Sequence, residues 1–168
     1  MNAEHRILVA GIGNIFFGDD AFGVEVIREL SRFELPEQVV AVDFGIRSYD
    51  LAYAIMDGNA ATILVDTTAR GEAPGTLYLM ELDPEEIAKV ELEVPDGHSL
   101  GPVQVLRLVQ SLGGQAARLY LVACEPAVLE TEDGLMGLSE PVQAAVPQAI
   151  EMIRNLVEKL RSGAPTES

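Results

Sequence analysis

Residues 11–23 read GIGNIFFGDDAFG, and the fold follows from how that turn is read. An apolar, β-branched run over residues 6–12, RILVAGI, leads into it, as in a strand buried on both faces. Out of it comes DAFGVEVIRELSRF (20–33), with Phe22, Val26, Ile27 and Leu30 at helical spacing and acids in the first turn, where the helix dipole favours them. Strand, glycine turn and helix in that order open an α/β unit. Glycine turns of this kind often wrap phosphates, yet this one closes on Asp19 and Asp20. A dinucleotide fingerprint needs a third glycine where Phe16 stands, and a Walker loop needs lysine and a hydroxyl after Gly18. Carboxylates already take the positive helix end that a phosphate would seek. The turn argues against phosphate; it delivers negative charge.

The same alternation continues along the chain. VVAVDFG (39–45) reads as a second strand, SYDLAYAIMD (48–57) as a second helix and ATILVDT (61–67) as a third strand. GTLYLMEL (75–82) is a fourth strand, and the turn-rich TARGEAPG before it suggests a hairpin with the third. The stretch 83–98, DPEEIAKVELEVPDGH, is acidic and irregular. SLGPVQVLRLVQSLG (99–113) reads as a helix capped by Ser99 and closed by Gly113, and ARLYLVAC (117–124) as a fifth strand. A last helix over about 139–161 buries Val142, Val146, Ile150, Ile153, Leu156, Val157 and Leu160. This order predicts an α/β fold: a single three-layer domain whose twisted, mostly parallel five-stranded sheet carries helices on both faces. The domain is expected over residues 1–162, with a flexible tail at 163–168.

Composition agrees and excludes several classes. The 168 residues are 48% hydrophobic with mean hydropathy +0.20, which suits one globular domain. No apolar run reaches the ~18 residues of a membrane span, and the N-terminal apolar run reads as a first strand rather than a signal peptide. One cysteine, Cys124, forms no internal disulfide and suits a reducing cytoplasm. The net charge is −16, from 27 acids against 11 bases, with no basic stripe. Nucleic acid and membrane insertion are therefore not expected. Charge alone does not separate plain solubility from a basic or metal-carrying partner.

In doubly wound sheets ligands bind outside the carboxyl ends of the strands. Strand one delivers Asp19 and Asp20 there, strand two ends in Asp43 and strand three in Asp66, and His98 lies just before a helix. Like charges gathered so closely repel, and a cation relieves them. Two carboxylates and an imidazole suit a borderline divalent metal such as nickel, zinc or manganese. Each residue also has a plainer reading: Asp20 as a helix N-cap, Asp43 and Asp66 as turn caps, His98 as an exposed loop residue. The repeated acid at one edge favours a site. Cys124 reads as a small buried strand residue, Ser99 beside His98 is no nucleophile elbow, and His5 precedes the first strand at the opposite edge.

These residues resemble the hydrogenase maturation endopeptidases. ILVAGIGNIFFGDDAFGVEV is similar to the family's N-terminal signature, and VDFGIRSYDLAYAI, ILVDTTARGEAPGTLY, DGHSLG and GLSEPVQAAVPQAI to its later blocks in order, over about residues 6–160. The resemblance implies an endopeptidase that removes the C-terminal extension from a nickel-loaded nickel–iron hydrogenase large-subunit precursor. It implies metal contacts at Asp20, Asp66 and His98, the same three acting in catalysis, with Asp43 supporting. Asp20 stands where relatives often carry glutamate, one methylene longer. The cofactor implied is nickel, brought by the substrate, with no organic cofactor. Two other classes stay open: a non-catalytic nickel-sensing chaperone, because no familiar nucleophile is visible, and a metal-dependent small-molecule hydrolase. The sequence leaves open the oligomeric state, and whether the ion acts in the chemistry or only in recognition.

Overall fold

The computed structural model describes residues 6–83, 85–86, 101–127 and 136–163. His5, His98 and Ser99 lie outside these, as does most of the acidic stretch 83–98 and the tail from 164 onward. The elements in chain order are β1 (Ile7–Ile12), a 3₁₀ turn (Gly18–Ala21), α1 (Phe22–Leu30), β2 (Val39–Gly45), α2 (Ser48–Met56), β3 (Ala61–Thr67), β4 (Leu77–Leu82), α3 (Pro102–Ser111), β5 (Arg118–Cys124) and α4 (Glu140–Ser162).

The five strands form one sheet in the order β2-β1-β3-β5-β4. β1 pairs in parallel with β2 and β3, and β3 in parallel with β5, while β4 runs antiparallel to β5 at the edge. The expected β3–β4 hairpin does not form. The segment after β3 crosses past one strand position, and β5 enters between the two, with Leu79 opposite Val122 and Thr67 opposite Cys124. β5 is wholly apolar after its first residue and is buried from Leu119 to Cys124, so it takes a central place. β4 is only half-buried and carries Glu81, which suits an edge.

Alternation sends successive side chains to opposite faces. Ile7 and Val9 of β1, Ile63 and Val65 of β3, and Tyr120 and Val122 of β5 pack under α1 and α4. Leu8, Ala10, Ile12, Leu64, Leu119 and Leu121 pack under α2 and α3. This is the three-layer arrangement expected. Helix α1 buries Phe22, Val26, Ile27 and Leu30, the four positions that its periodicity marks. Helix α4 buries six of its seven expected positions, and Leu160 is half-covered against the same core. Helix α3 starts at Pro102 rather than near Ser99. Gly101 holds the cap position, and its N–H donates to the Gln104 side-chain Oε1 at 3.0 Å.

The glycines of the first turn are there because backbone must pass close to backbone. Gly13 adopts φ 146°, and a Cβ on it would meet the Asp20 carbonyl oxygen at 1.8 Å. A Cβ on Gly23 would meet the carbonyl oxygens of Val65 and Ile12 at 2.2 and 2.4 Å. Helix α1 thus rests directly on β1 and β3, and this close seat fixes where Asp19 and Asp20 emerge. Replacing Gly23 with alanine should cost about 2 kcal/mol or more of unfolding free energy, because two main-chain oxygens must move. Urea unfolding followed by circular dichroism measures it; an unchanged midpoint would show that the seat is not tight.

Candidate active site at the carboxyl edge of the sheet

Because β1, β2, β3 and β5 are parallel, the segments that follow them open on one edge. Asp20 and Asp66 come together there. Asp20 is half-buried; its Oδ2 accepts the Asn14 N–H at 2.8 Å, and its Oδ1 accepts a long hydrogen bond from Thr67 Oγ1 at 3.5 Å. It does not cap α1, whose N-cap is Ala21 with no side-chain bond. Asp66 is 5% exposed, and its Oδ1 accepts the Thr67 N–H at 2.8 Å. Its Oδ2 takes no hydrogen bond from the described residues. Thr67 thus touches both acids, one through its amide and one through its hydroxyl.

Both acids hold protons more tightly than an ordinary carboxyl. Burial raises Asp20, and the bonds from Asn14 and Thr67 only partly offset it. Burial raises Asp66 well above the usual range; the Thr67 amide pulls it back, and the negative charge of Asp20 pushes it up again. A charged pair in this place is unfavourable until a proton or a cation joins it.

The other acids of the edge serve different ends. Asp43 is exposed; its Oδ1 accepts the Gly45 N–H at 2.8 Å, closing a turn on its own strand. Asp19 is fully buried and faces away from Asp20, as neighbours in a tight turn must. Its Oδ1 accepts the Ser139 N–H at 2.7 Å, and its Oδ2 accepts the Ser139 hydroxyl and the Ala127 N–H, each at 2.8 Å. It ties the first turn to the start of α4. Among the described residues no three His, Cys, Asp or Glu side chains gather as a metal centre. The third member of the expected set, His98, lies outside those residues. Cys124 is buried, and burial, reinforced by the Asp19 charge, pushes its thiol up to about 11, so it is no ready nucleophile.

One acid at this edge escaped the sequence reading. Glu125, directly after β5, is 3% exposed and organises the β3–β4 crossover. Its Oε1 accepts the N–H groups of Arg70 and Glu72 and the Tyr78 hydroxyl, all at 2.9 Å. Burial opposes its charge, but these donors and the Gly71 amide outweigh it and hold the carboxyl below its usual value. Tyr78 is pushed up to about 12, by desolvation first and then by donating to that carboxylate. The rule that flagged Asp43 and Asp66, an acid where a strand ends, flags Glu125 too. Thr67 gave no such signal, since a hydroxyl at a strand end is ordinary. The site is also not the largest hollow: a cavity of about 710 Å³ lies near the opposite edge, lined by Leu30, Leu35, Val39, Ile153 and Val157 among others.

The family model for hydrogenase maturation proteases matches residues 24–156. The chain belongs to that family. It is 32% identical over 149 residues to the hydrogenase 2 maturation protease of Escherichia coli K12, covering 88% of each chain. Its fold is similar to that of the hydrogenase maturating endopeptidase HybD from E. coli, with a TM-score of 0.73 and 26% identity over 92% of this chain and 93% of the other. A hydrogenase 2 maturation peptidase from a Thaumarchaeota archaeon matches with a TM-score of 0.67 and 31% identity, covering 90% and 97%. The protein is therefore an endopeptidase of hydrogenase maturation, and its mostly parallel five-stranded sheet is the fold of such proteases. No described helix is long and apolar enough to cross a membrane.

The two buried aspartates make opposite predictions for the metal-free maturation protease. In the fold Asp66 keeps its proton at pH values where the unfolded chain has lost it. The native state then binds more protons, so stability falls as pH rises above the ordinary carboxylate range through the raised folded value. Asp66→Asn should remove that slope and raise the melting temperature at pH 7, by roughly 2–4 °C for each kcal/mol relieved. Asp19→Asn should lower it, because an amide cannot accept all three of the donors that face it. Calorimetry from pH 4 to 8 compares them; a lower melting temperature for Asp66→Asn at pH 7 would contradict the account.

Proposed function

We propose that this protease removes the C-terminal extension of a nickel–iron hydrogenase large-subunit precursor once that precursor carries nickel. The observation that supports this most is the Asp20–Asp66 pair, one half-buried and one buried, both pushed up at the carboxyl edge of the sheet. Nickel belongs to the substrate in this reading. A precursor with nickel brings the cation that the pair lacks, and one without it meets two carboxyls that disfavour charge. Asp66 Oδ2 and Asp20 Oδ1 are the oxygens left to face the ion, since Asp66 Oδ1 and Asp20 Oδ2 each accept a short bond from a backbone amide. His98 supplies the third contact, and Asp43 a supporting charge on the rim. Recognition then rests on the difference between two metal states rather than on a long sequence epitope.

The protease is of the aspartyl type in this account. Cys124 is buried with its thiol protonated, so the attacking group is water rather than a side-chain sulfur. The carboxylates of Asp20 and Asp66 accept its proton and return one to the leaving nitrogen. The protein acts in the cytoplasm, where its one thiol stays reduced.

Mixing the purified protease with nickel-loaded and nickel-free precursor tests the reading by mass spectrometry of the large subunit. Only the loaded precursor should shorten. Asp20→Asn, Asp66→Asn and His98→Ala should each slow cleavage by a hundredfold or more, as loss of a group acting in the chemistry does. Binding without cleavage by the wild type would instead favour a chaperone, and equal cleavage of both precursors would remove nickel as the signal.

A further inference from the structure

A row of large apolar side chains lies open to solvent beside the acid pair, and it belongs to one corner of the sheet. Ile15 and Phe16 project from the first turn, Ile46 from the turn after β2, and Tyr49 and Tyr53 from α2, each between 42% and 60% exposed. They are contiguous through the backbone. The Gly13 N–H donates to the Gly45 carbonyl at 3.0 Å, which ties the backbone leading into the Asn14–Phe16 turn to the residue before Ile46. Tyr49 follows Ile46 by three residues, and Tyr53 follows Tyr49 by four, one helical turn further on the same face of α2. Asn14, whose amide holds Asp20, is the residue before Ile15. The row thus begins at the acid pair and runs outward along α2.

Helix α2 has no need of these rings for its own packing. It buries Leu51, Ala52 and Ile55 in the core and turns Tyr49 and Tyr53 outward. A cluster of exposed aromatic and aliphatic side chains rimmed by charge is what an interaction surface looks like. Around it Asp43, Asp50 and Asp57 are all exposed; Asp50 pairs with Arg47 at 3.6 Å and Asp57 with Arg6 at 2.8 Å, so the rim carries one acid in excess within a chain of net charge −16. A second copy of this chain is a poor occupant, because two bodies each of charge −16 would be brought together. A partner with bulky apolar side chains set among lysines and arginines fits both the rings and the chain's net negative charge.

We propose that Ile15, Phe16, Ile46, Tyr49 and Tyr53 form the docking surface for the large-subunit precursor, gripping an apolar, cationic patch of it while its scissile segment reaches Asp20 and Asp66. The inference rests on the substrate reading given above, and it adds a contact remote from the chemistry. Binding at the row delivers the cleavage segment to the acids and takes no part in bond breaking, so its loss appears in affinity rather than turnover.

The test uses the full protease and the nickel-loaded precursor, with binding and cleavage measured separately. Tyr49→Ser/Tyr53→Ser should raise the precursor Kd and KM about 10–100-fold while kcat at saturating precursor stays within about twofold. Tyr49→Phe/Tyr53→Phe should bind nearly as the wild type, and Phe33→Ser, an exposed ring just after α1, should change nothing. Raising salt should weaken wild-type binding, since the chain's net charge of −16 draws a cationic partner. Wild-type affinity in the double serine variant, with circular dichroism showing it folded, overturns the proposal. So does a variant that lowers kcat and leaves Kd alone. If the wild type binds the precursor without cutting it and the serine variant does not bind, the docking surface stands and the protease reading falls.

Discussion

Two carboxylates placed side by side in a partly dry corner are what the rest of this molecule is arranged to maintain. Burial raises both Asp20 and Asp66, and the charge of the first makes ionising the second harder still. Such a pair costs stability, so the chain must hold it by force of packing. That force comes from the seat of α1 on β1 and β3, where Gly23 leaves no room for a Cβ, and from Gly13 bent back beneath Asp20. The glycine turn that resembles a phosphate cradle is a device for close backbone approach, and its product is a negative point rather than a positive one.

The neighbouring acids show that residue type does not set the role; donors do. Asp19 is more deeply buried than Asp20, yet three hydrogen bonds from Ala127 and Ser139 satisfy it, and it works as a tie between the first turn and α4. Glu125 receives amides and a phenol and is held below its normal value, anchoring the crossover into β4. Asp66 receives one amide, from the next residue, and burial pushes it well above the ordinary carboxyl instead. An acid with a complement of donors is structural here, and an acid left short of them stands ready for a cation. The same contrast separates a carboxyl that stabilises the fold at neutral pH from one that burdens it.

Much of this was legible in the chain itself. All five strands and the core faces of α1 and α4 follow from apolar patterning, because long, buried elements are dictated by their own side chains. The β3–β4 hairpin was misread because strand order depends on which strand wins the central place, and that is decided by β5, forty residues away. The edge position of Asp20 and Asp66 was legible through the rule that ligands gather at the carboxyl ends of parallel strands. The opposite orientation of Asp19 was not, since a pair of adjacent aspartates gives no hint of which one meets Ser139. Thr67, Asn14 and Glu125 matter through main-chain contacts, and a sequence shows side chains better than it shows amides. His98 falls outside the described residues, and its part in the site is read from its place in the sequence ahead of α3 and from the family resemblance.

Membership in the hydrogenase maturation proteases sets these features in an endopeptidase, and the function proposed for them is a cleft that disfavours charge until its substrate brings a cation. The measurement closest to that claim is a carbon-13 NMR titration of the aspartate carboxyl carbons in the metal-free protein. The account predicts that the Asp66 carboxyl titrates well above the ordinary aspartate range and Asp20 less so, with Asp66 moving down when Asp20 is replaced by asparagine. Ordinary titration of both carboxyls, with neither responding to loss of the other, would contradict it.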